Sequence, residues 1–291
     1  MTGSGIAGVA IPCLALDIGA SKVEVALVSR DGVVQRRGRL SVALNEGHLF
    51  DAIVELVDTT IGDINYGEVG VACAGPMTLR GELVSPLNIP EWRDFPLKDR
   101  LRGVLGREVS VEGDARALAL AEGAFGAATG QRSYLSMVVS TGIGGAFVID
   151  GRLLDGDSGN AGHIGHLNVI PHGRLCSCGS YGCLEAEASG WAIGDMTGRA
   201  AEFADTPTRR RCAELVGCAV GTLSAVLDFS HCYVAGSVAL GFGDEFFETA
   251  TKAARKVAMM RYTENLEIKK SGLGNDGPIL GAAVVGWRGG S

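Results

Sequence analysis

The sequence has no long apolar run, no dense basic patch and no low-complexity tract, and each absence removes a class of protein. No apolar run reaches the roughly 20 residues that cross a bilayer, so we do not expect a membrane protein. The formal net charge is −7 without clustered Lys and Arg, which argues against nucleic acid as the main partner. Charged residues make up 20% of the chain and hydrophobic residues 46%, a globular composition.

The sequence also lacks the marks of a secreted protein. Residues 1–16 are apolar but have no basic start, and they run directly into a strand-like segment, so we do not interpret them as a signal peptide. A reduced cytoplasm fits the cysteine usage better than secretion. Four cysteines in apolar runs are expected to be buried thiols, namely Cys13, Cys73, Cys218 and Cys232.

The most informative stretch is 159–185, GNAGHIGHLNVIPHGRLCSCGSYGCLE. Cys176, Cys178 and Cys183 form a C-x-C-x4-C cluster, and His166 precedes it by ten residues. Three thiolates and one imidazole suit a closed tetrahedral zinc site. The alternative is a set of buried thiols or a disulfide. The dense spacing of the thiols and the nearby histidine argue against that alternative. A closed site has no position for water, so the zinc would hold a loop, and a zinc hydrolase is not expected.

Two segments repeat one pattern, in which an apolar strand, a glycine-rich turn, a second strand and a D-G turn follow one another. The first comprises Ile11–Leu16, Asp17–Lys22, Val23–Ser29 and Asp31–Gly32. The second comprises Tyr134–Val139, Ser140–Gly145, Ala146–Ile149 and Asp150–Gly151. The N–H groups of such turns can converge on phosphate, although an ordinary hairpin also fits the first segment. Two such units suggest two similar lobes that face a cleft.

Elsewhere strands alternate with helices, which favours α/β layers. Helices are predicted at Glu46–Ile61, from Asp114 to about Ala128, and at Trp191–Phe203, Arg210–Leu227, Glu245–Met260 and Ile279–Trp287. Further strands are predicted at Val33–Leu40, Val69–Ala74, Val109–Glu112, Tyr233–Ala235 and Leu266–Lys270.

The motif GNAGxIGH followed by C-x-C-G-x2-G-C-L-E resembles the signature of the ROK family of bacterial sugar kinases and sugar-responsive repressors. The resemblance extends over nearly the whole chain. It implies a two-lobed α/β fold of the actin-like ATPase (ribonuclease H-like) type. The N-terminal lobe would span 1–114 and be completed by a C-terminal helix, 279–291. The C-terminal lobe would span 115–278 and carry the zinc loop.

The resemblance implies transfer of a phosphoryl group from ATP to the 6-hydroxyl of a hexose. Asp114 matches the family's catalytic base, although a carboxylate at a helix start can also be a cap. Gly236 begins a segment near the nucleotide, where AGS departs from the family's usual glycine run. The residues expected to hold the ATP phosphates and magnesium are Asp17, Gly19, Ser21, Lys22, Thr141, Gly142 and Gly144.

By the same resemblance, Asn88, His166 and Glu185 would face the sugar. His166 would bind zinc through one ring nitrogen and could orient a hydroxyl with the other. The alternative for Glu185 is a solvated charge at a helix start. Two residues depart from the family pattern, because Gly113 stands where Asn is usual and His163 where Glu is usual.

Both departures fall at positions that contact sugar hydroxyls in relatives, so plain glucose would lose partners. An amino hexose such as kanosamine would fit a sugar pocket with these two changes. The alternative activities are those of a glucokinase and an N-acetylmannosamine kinase. A catalytically inactive sugar sensor is a further alternative. Only about ten residues precede the first strand, so the helix-turn-helix of the family's repressors is not expected. ATP and polyphosphate both remain possible phosphate donors, and relatives suggest a homodimer.

Overall fold

The structure is a computed structural model that describes residues 11–19, 21–86 and 88–289. The first elements are β1 (Cys13–Ile18), β2 (Lys22–Val28), β3 (Val34–Ser41), α1 (Leu49–Ile61), β4 (Val69–Cys73), α2 (Leu97–Leu105), β5 (Val109–Gly113) and α3 (Asp114–Phe125). They are followed by β6 (Tyr134–Val139), β7 (Ile143–Ile149), β8 (Arg152–Leu153), α4 (Leu184–Ala188), α5 (Gly190–Thr197) and α6 (Thr206–Leu227). The last are β9 (His231–Ala235), α7 (Ser237–Gly241), α8 (Asp244–Val257), β10 (Glu267–Lys270) and α9 (Gly277–Gly289).

The chain divides into two compact units, and the boundary falls inside α3. Unit 1 groups residues 1–117 with 278–291, and unit 2 comprises 118–277. Each unit contains one mixed five-stranded sheet. In the described ranges, no helix is long and apolar enough to cross a membrane.

The sheet of unit 1 has the order β3-β2-β1-β4-β5, in which β1, β4 and β5 are parallel and the β1–β2 and β2–β3 pairs are antiparallel. Both faces of β1 are buried, because α1 covers one face and α9 packs near the other. A methyl group at Gly70 of β4 would lie 2.5 Å from the backbone nitrogen of Gly286 in α9. The helix can therefore approach this closely only because Gly70 has no side chain.

The sheet of unit 2 has the order β10-β9-β6-β7-β8, with β6, β9 and β10 parallel. Its core contains Leu135 and Met137 of β6, Val234 of β9, and Val216 and Val220 of α6. These side chains are almost completely excluded from water, as expected for strands that read as continuous apolar runs.

The structure confirms the predicted alternation of strands and helices, including the D-G turns at Asp31–Gly32 and Asp150–Gly151. The single helix predicted at Trp191–Phe203 is wrong. Helix α5 ends at Gly198, which adopts φ 69° and donates its N–H to the carbonyl of Gly194. A glycine in this left-handed conformation ends a helix, and only a short 3-10 turn, Ala201–Phe203, follows.

Four further predictions need correction. The first helix begins at Leu49 and not at Glu46, and α3 ends at Phe125. Strand β7 begins at Ile143, so Gly144 pairs with Val138 in the sheet and does not belong to the turn. Cys218 is half-buried, because it lies on the side of α6 that turns away from the buried residues of that helix.

We predict that Gly70→Ala destabilises the protein by about 1–3 kcal/mol, because the added methyl group would overlap the backbone of α9. Urea unfolding monitored by circular dichroism measures this change. Gly103→Ala is the matched control, since Gly103 lies in α2 with open space around it, and there alanine should raise stability by about 0.5–1 kcal/mol. A Gly70→Ala protein as stable as the wild type would contradict this packing.

Candidate functional site

One edge of the sheet of unit 1 collects polar residues, because the parallel strands β1, β4 and β5 all end there. Ile18 lies opposite Cys73, and Cys73 lies opposite Gly113. Asp17 therefore comes to the same edge as Asp114, the residue that follows β5. Ligands of open α/β sheets bind beyond the carboxyl ends of the strands, which makes this edge the candidate site of unit 1.

The turn from β1 into β2 brings several predicted phosphate-binding residues together. The N–H of Gly19 donates to the carbonyl of Lys22 at 3.0 Å, which closes the turn. Ser21 and Lys22 are exposed, whereas Asp17 is only 6% exposed. The Lys22 ammonium lies 3.3 Å from the carboxylate of Glu24.

Asp114 begins α3 and its side chain is exposed, so a ligand can reach it. Its Oδ1 accepts a hydrogen bond of 2.7 Å from the N–H of Ala115. The carboxylate thus accepts a hydrogen bond from the backbone at the helix start. This capping role is compatible with a catalytic role. At the preceding residue, Gly113, a Cβ atom would lie in ordinary contact with Arg116 at 3.4 Å, so the backbone there would accept a side chain.

Asp17 is electrostatically strained as an anion. Burial is the main cause, and the negative charge of Asp114 adds to it, so that the pKa of Asp17 rises to about 7 despite the opposing Lys22. The same two carboxylates and burial raise the pKa of the neighbouring Cys73 thiol. Two neighbouring carboxylates, one of which is buried, favour the binding of a cation between them.

Sequence reasoning missed the cluster around Glu24. This carboxylate of β2 is 3% exposed and is surrounded by three cations. Arg37 and Arg39 of β3 approach it to 3.0 and 2.8 Å, and Lys22 is the third cation. The sequence signal was the K-x-E spacing in β2, which lies opposite the arginines of β3. This signal can be recognised only when the strand register is known.

In unit 2 the parallel strands β6 and β9 end side by side. The hydroxyls of Ser140 and Ser237 lie 3.0 Å apart, just beyond the two strand ends. Gly236 adopts φ 101°, and a Cβ atom there would lie 2.9 Å from the nitrogen of Val139. Thr141 is exposed at the turn. The structure thus brings Thr141 and Gly236 to one edge of the unit 2 sheet, and the two serines there were not predicted.

Glu185 is attached to this same turn. It lies in the first turn of α4, and its Oε2 accepts a hydrogen bond of 2.9 Å from the N–H of Ile143. A methyl group at Gly142 would lie 2.7 Å from that oxygen. Glu185 is therefore half-buried and paired with backbone, and the alternative of a solvated surface charge is wrong.

Four side chains of unit 2 converge in the arrangement that the cysteine spacing predicts. The ligand atoms of His166, Cys176, Cys178 and Cys183 all lie within 4.8 Å of one another. The Nδ1 of His166 is 3.6 Å from the sulfur of Cys176, and the sulfurs of Cys178 and Cys183 are 3.7 Å apart. Tetrahedral zinc with bonds of about 2.0–2.3 Å requires ligand atoms roughly 3.3–3.8 Å apart. The donor set fits zinc, and so do the two distances of 3.6 and 3.7 Å.

The remaining predicted residues are exposed. His163 lies beside His166 with the ring centroids 6.2 Å apart, and the use of Nδ1 in the cluster leaves the Nε2 of His166 for another partner. Asn88 lies in an exposed turn of unit 1, where the N–H of Ile89 donates to the carbonyl of Pro86. Their roles stay predictions.

We predict that Asp17→Asn stabilises the protein without magnesium or nucleotide at pH 8. The folded protein holds the Asp17 proton up to a pKa of about 7, whereas the ordinary pKa of this carboxyl is 3.8, so stability falls as pH rises through this window. Asparagine avoids that cost, which is at most about 4 kcal/mol.

Urea unfolding should therefore show a gain of about 1–4 kcal/mol for Asp17→Asn at pH 8 and little difference at pH 4. Asp31→Asn is the control, because Asp31 is exposed and a hydrogen bond from Ser29 lowers its pKa, so no gain is expected. A loss of stability for Asp17→Asn at pH 8 would refute the buried-anion interpretation.

Comparisons with known proteins identify sugar kinases that are similar to this chain. The Thermotoga maritima glucokinase is 36% identical over 186 residues, 62% of this chain and 58% of that protein. The chain thus spans less than two thirds of the length of this glucokinase. The Pasteurella multocida N-acetylmannosamine kinase is 30% identical over 93% of this chain and 95% of that protein.

Solved structures share the α/β fold with two mixed sheets. The ROK hexokinase from Thermus thermophilus has a TM-score of 0.83 and 29% identity, covering 96% of this chain and 99% of that one. The ROK family glucokinase from Streptomyces griseus in complex with glucose and AMPPNP has a TM-score of 0.81 and 27% identity, covering 95% and 99%. The ROK family model matches residues 13–287. The chain belongs to the ROK family.

Proposed function

We propose that this protein is an ATP-dependent sugar kinase that phosphorylates the 6-hydroxyl of a hexose. The observation that carries the proposal is the edge of the unit 1 sheet, where the buried Asp17 lies within the field of the exposed Asp114. Family membership supports it, as do relatives named glucokinase and N-acetylmannosamine kinase.

Asp114 is the proposed catalytic base. Its exposed carboxylate can accept the proton of the sugar hydroxyl as the oxygen attacks the γ-phosphate. The helix start holds the carboxylate through the N–H of Ala115, which orients one of its oxygens.

Asp17 is the residue that we assign to magnesium, because a cation would offset the cost of ionising this buried carboxyl. A cation held there would supply positive charge to neutralise nucleotide phosphates. In unit 1, the residues that we propose for phosphate binding at the strand-turn edge are Gly19, Ser21 and Lys22. In unit 2, they are Thr141, Gly142 and Gly236, whereas Gly144 lies within β7.

We assign a structural zinc ion to His166, Cys176, Cys178 and Cys183. Their spacing supports this, and four protein ligands leave no open position for catalysis. His166 would then orient a sugar hydroxyl with Nε2, and Asn88 and Glu185 would contact other hydroxyls. A cytoplasmic homodimer is the expectation that family resemblance adds.

The proposed substrate class is a modified or amino hexose such as kanosamine. Gly113 offers no side-chain partner for a sugar hydroxyl, and the exposed His163 offers one donor and one acceptor where a carboxylate would offer two acceptors. Glucose and N-acetylmannosamine are the alternative substrates.

We predict that Asp114→Asn lowers kcat by about 10²–10⁴-fold while sugar affinity stays within about threefold, because only the proton acceptor is lost. A coupled ADP assay measures the first quantity, and isothermal titration calorimetry the second. Asp99→Asn is the matched control, since Asp99 is an exposed carboxylate in the first turn of α2, and it should retain full activity. If wild-type protein forms no ADP with any hexose but binds sugar, the sensor alternative replaces the kinase.

We predict that kanosamine exceeds glucose in kcat/KM, and that the double variant Gly113→Asn with His163→Glu shifts the preference toward glucose by about tenfold or more, because it restores hydroxyl partners. Parallel assays with kanosamine, glucosamine, glucose and N-acetylmannosamine, using ATP or polyphosphate, measure both ratios. Glucose exceeding every amino sugar with the wild type would refute the altered-pocket proposal.

A further inference from the structure

Glu187 is a buried carboxylate next to the metal-binding cluster, and none of the roles proposed above uses it. It lies on α4, two residues after Glu185, and is 2% exposed. A charged side chain at this depth is rare and must be paired. Its presence therefore requires an explanation in terms of its partners.

The partners come from two segments that are distant in the sequence. The backbone N–H of Arg174 donates to Oε1 of Glu187 at 2.6 Å. The guanidinium of Arg211 on α6 donates to Oε2 at 2.6 Å and also to the backbone carbonyl of Glu187 at 2.7 Å. Each carboxylate oxygen thus has one donor, and a cation compensates the charge.

Through Arg174 the carboxylate holds the loop that carries the cysteines. The carbonyl of Arg174 accepts a hydrogen bond of 2.8 Å from the N–H of Gly182, which directly precedes Cys183. Arg174 itself lies two residues before Cys176. One residue, fixed by Glu187, is therefore connected to both ends of the C-x-C-x4-C cluster.

Through its position on α4, Glu187 is also connected to the proposed sugar site. The N–H of Glu187 donates to the carbonyl of Cys183, the residue from which α4 begins. The same short helix carries Glu185, whose carboxylate binds the N–H of Ile143. A shift of α4 would move a metal ligand and Glu185 together.

We propose that Glu187 is a positioning residue that, with Arg211, fixes the cysteine loop on α4 and thereby sets both metal retention and the placement of Glu185. The part that concerns Glu185 and the sugar rests on the proposed function. The part that concerns the metal does not.

Glu187→Gln is a sharp test because both partners of the carboxylate are donors. A carboxylate offers two acceptor oxygens, whereas an amide offers one oxygen and one NH2 group. In either orientation the NH2 group would face the Arg174 N–H or the Arg211 guanidinium. The side chain keeps its size, so only the charge and one acceptor are lost.

A second variant covers the case in which Glu187→Gln does not fold. Glu187→Leu combined with Arg211→Met replaces the pair by apolar side chains, which buried ion pairs generally tolerate. It still removes the acceptor for Arg174. Glu214→Gln is the control, since Glu214 forms an exposed pair of 3.7 Å with Arg210 on α6.

The experiment loads each protein with zinc and follows its transfer to a chromophoric chelator, with circular dichroism as a check of folding. We expect wild type and Glu214→Gln to release zinc at similar slow rates, and the Glu187 variants to release it about 10–100-fold faster. In kinase assays the sugar KM should rise about tenfold or more, while the KM for ATP stays within about twofold.

Unchanged zinc release from a folded Glu187→Gln or from the folded double variant would overturn the proposal, as would a wild-type protein that binds no zinc. Faster zinc release with an unchanged sugar KM would overturn the link to Glu185. If the wild type phosphorylates no sugar, the proposed function fails, and zinc release still decides whether Glu187 holds the metal loop.

Discussion

The proposed site of unit 1 depends on a buried carboxyl, Asp17, that lies near a second carboxylate at one edge of the sheet. Parallel pairing of β1, β4 and β5 brings their carboxyl ends together, and this delivers Asp17 and Asp114 to the same place. Because Asp17 is buried, its anion is costly, and Asp114 increases the cost. A site that is destabilised in this way gains most from a bound cation, so function is favoured there at the expense of stability.

Unit 2 shows how a short helix can organise two different sites. The two acidic residues of α4 accept hydrogen bonds from different segments. Glu185 binds the backbone at the turn between β6 and β7, and Glu187 binds the backbone of the cysteine loop. The helix starts directly after Cys183, so a candidate metal ligand, a candidate sugar contact and the residue that binds the backbone of the cysteine loop fall within five consecutive residues. Such a helix is too short to be stable alone and depends on these attachments.

The features that sequence reasoning predicted well were local. The cysteine spacing predicted the four-ligand cluster, and apolar runs bounded by glycine predicted the strands. Where it failed, conformation was decided by one residue, as at Gly198, which ends α5 in a left-handed conformation. Gly144 appeared to belong to a turn, yet it pairs in the sheet, because strand pairing with Val138 overrides the low strand preference of glycine.

The residues that sequence reasoning missed act over long separations. Glu187 binds partners 13 and 24 positions away, and neither separation leaves a periodic signal in the sequence. The same holds for Ser140 and Ser237, whose hydroxyls meet only because β6 and β9 pair in parallel. Assignment of such residues requires the register of the sheet.

The most direct test of the central claim is a titration of the Asp17 carboxyl by carbon-detected nuclear magnetic resonance, in the wild type and in Asp114→Asn, without magnesium. The account predicts a pKa of about 7 for Asp17 in the wild type and a lower value when the charge of Asp114 is removed. A pKa near the ordinary 3.8 that does not respond to Asp114 would contradict it.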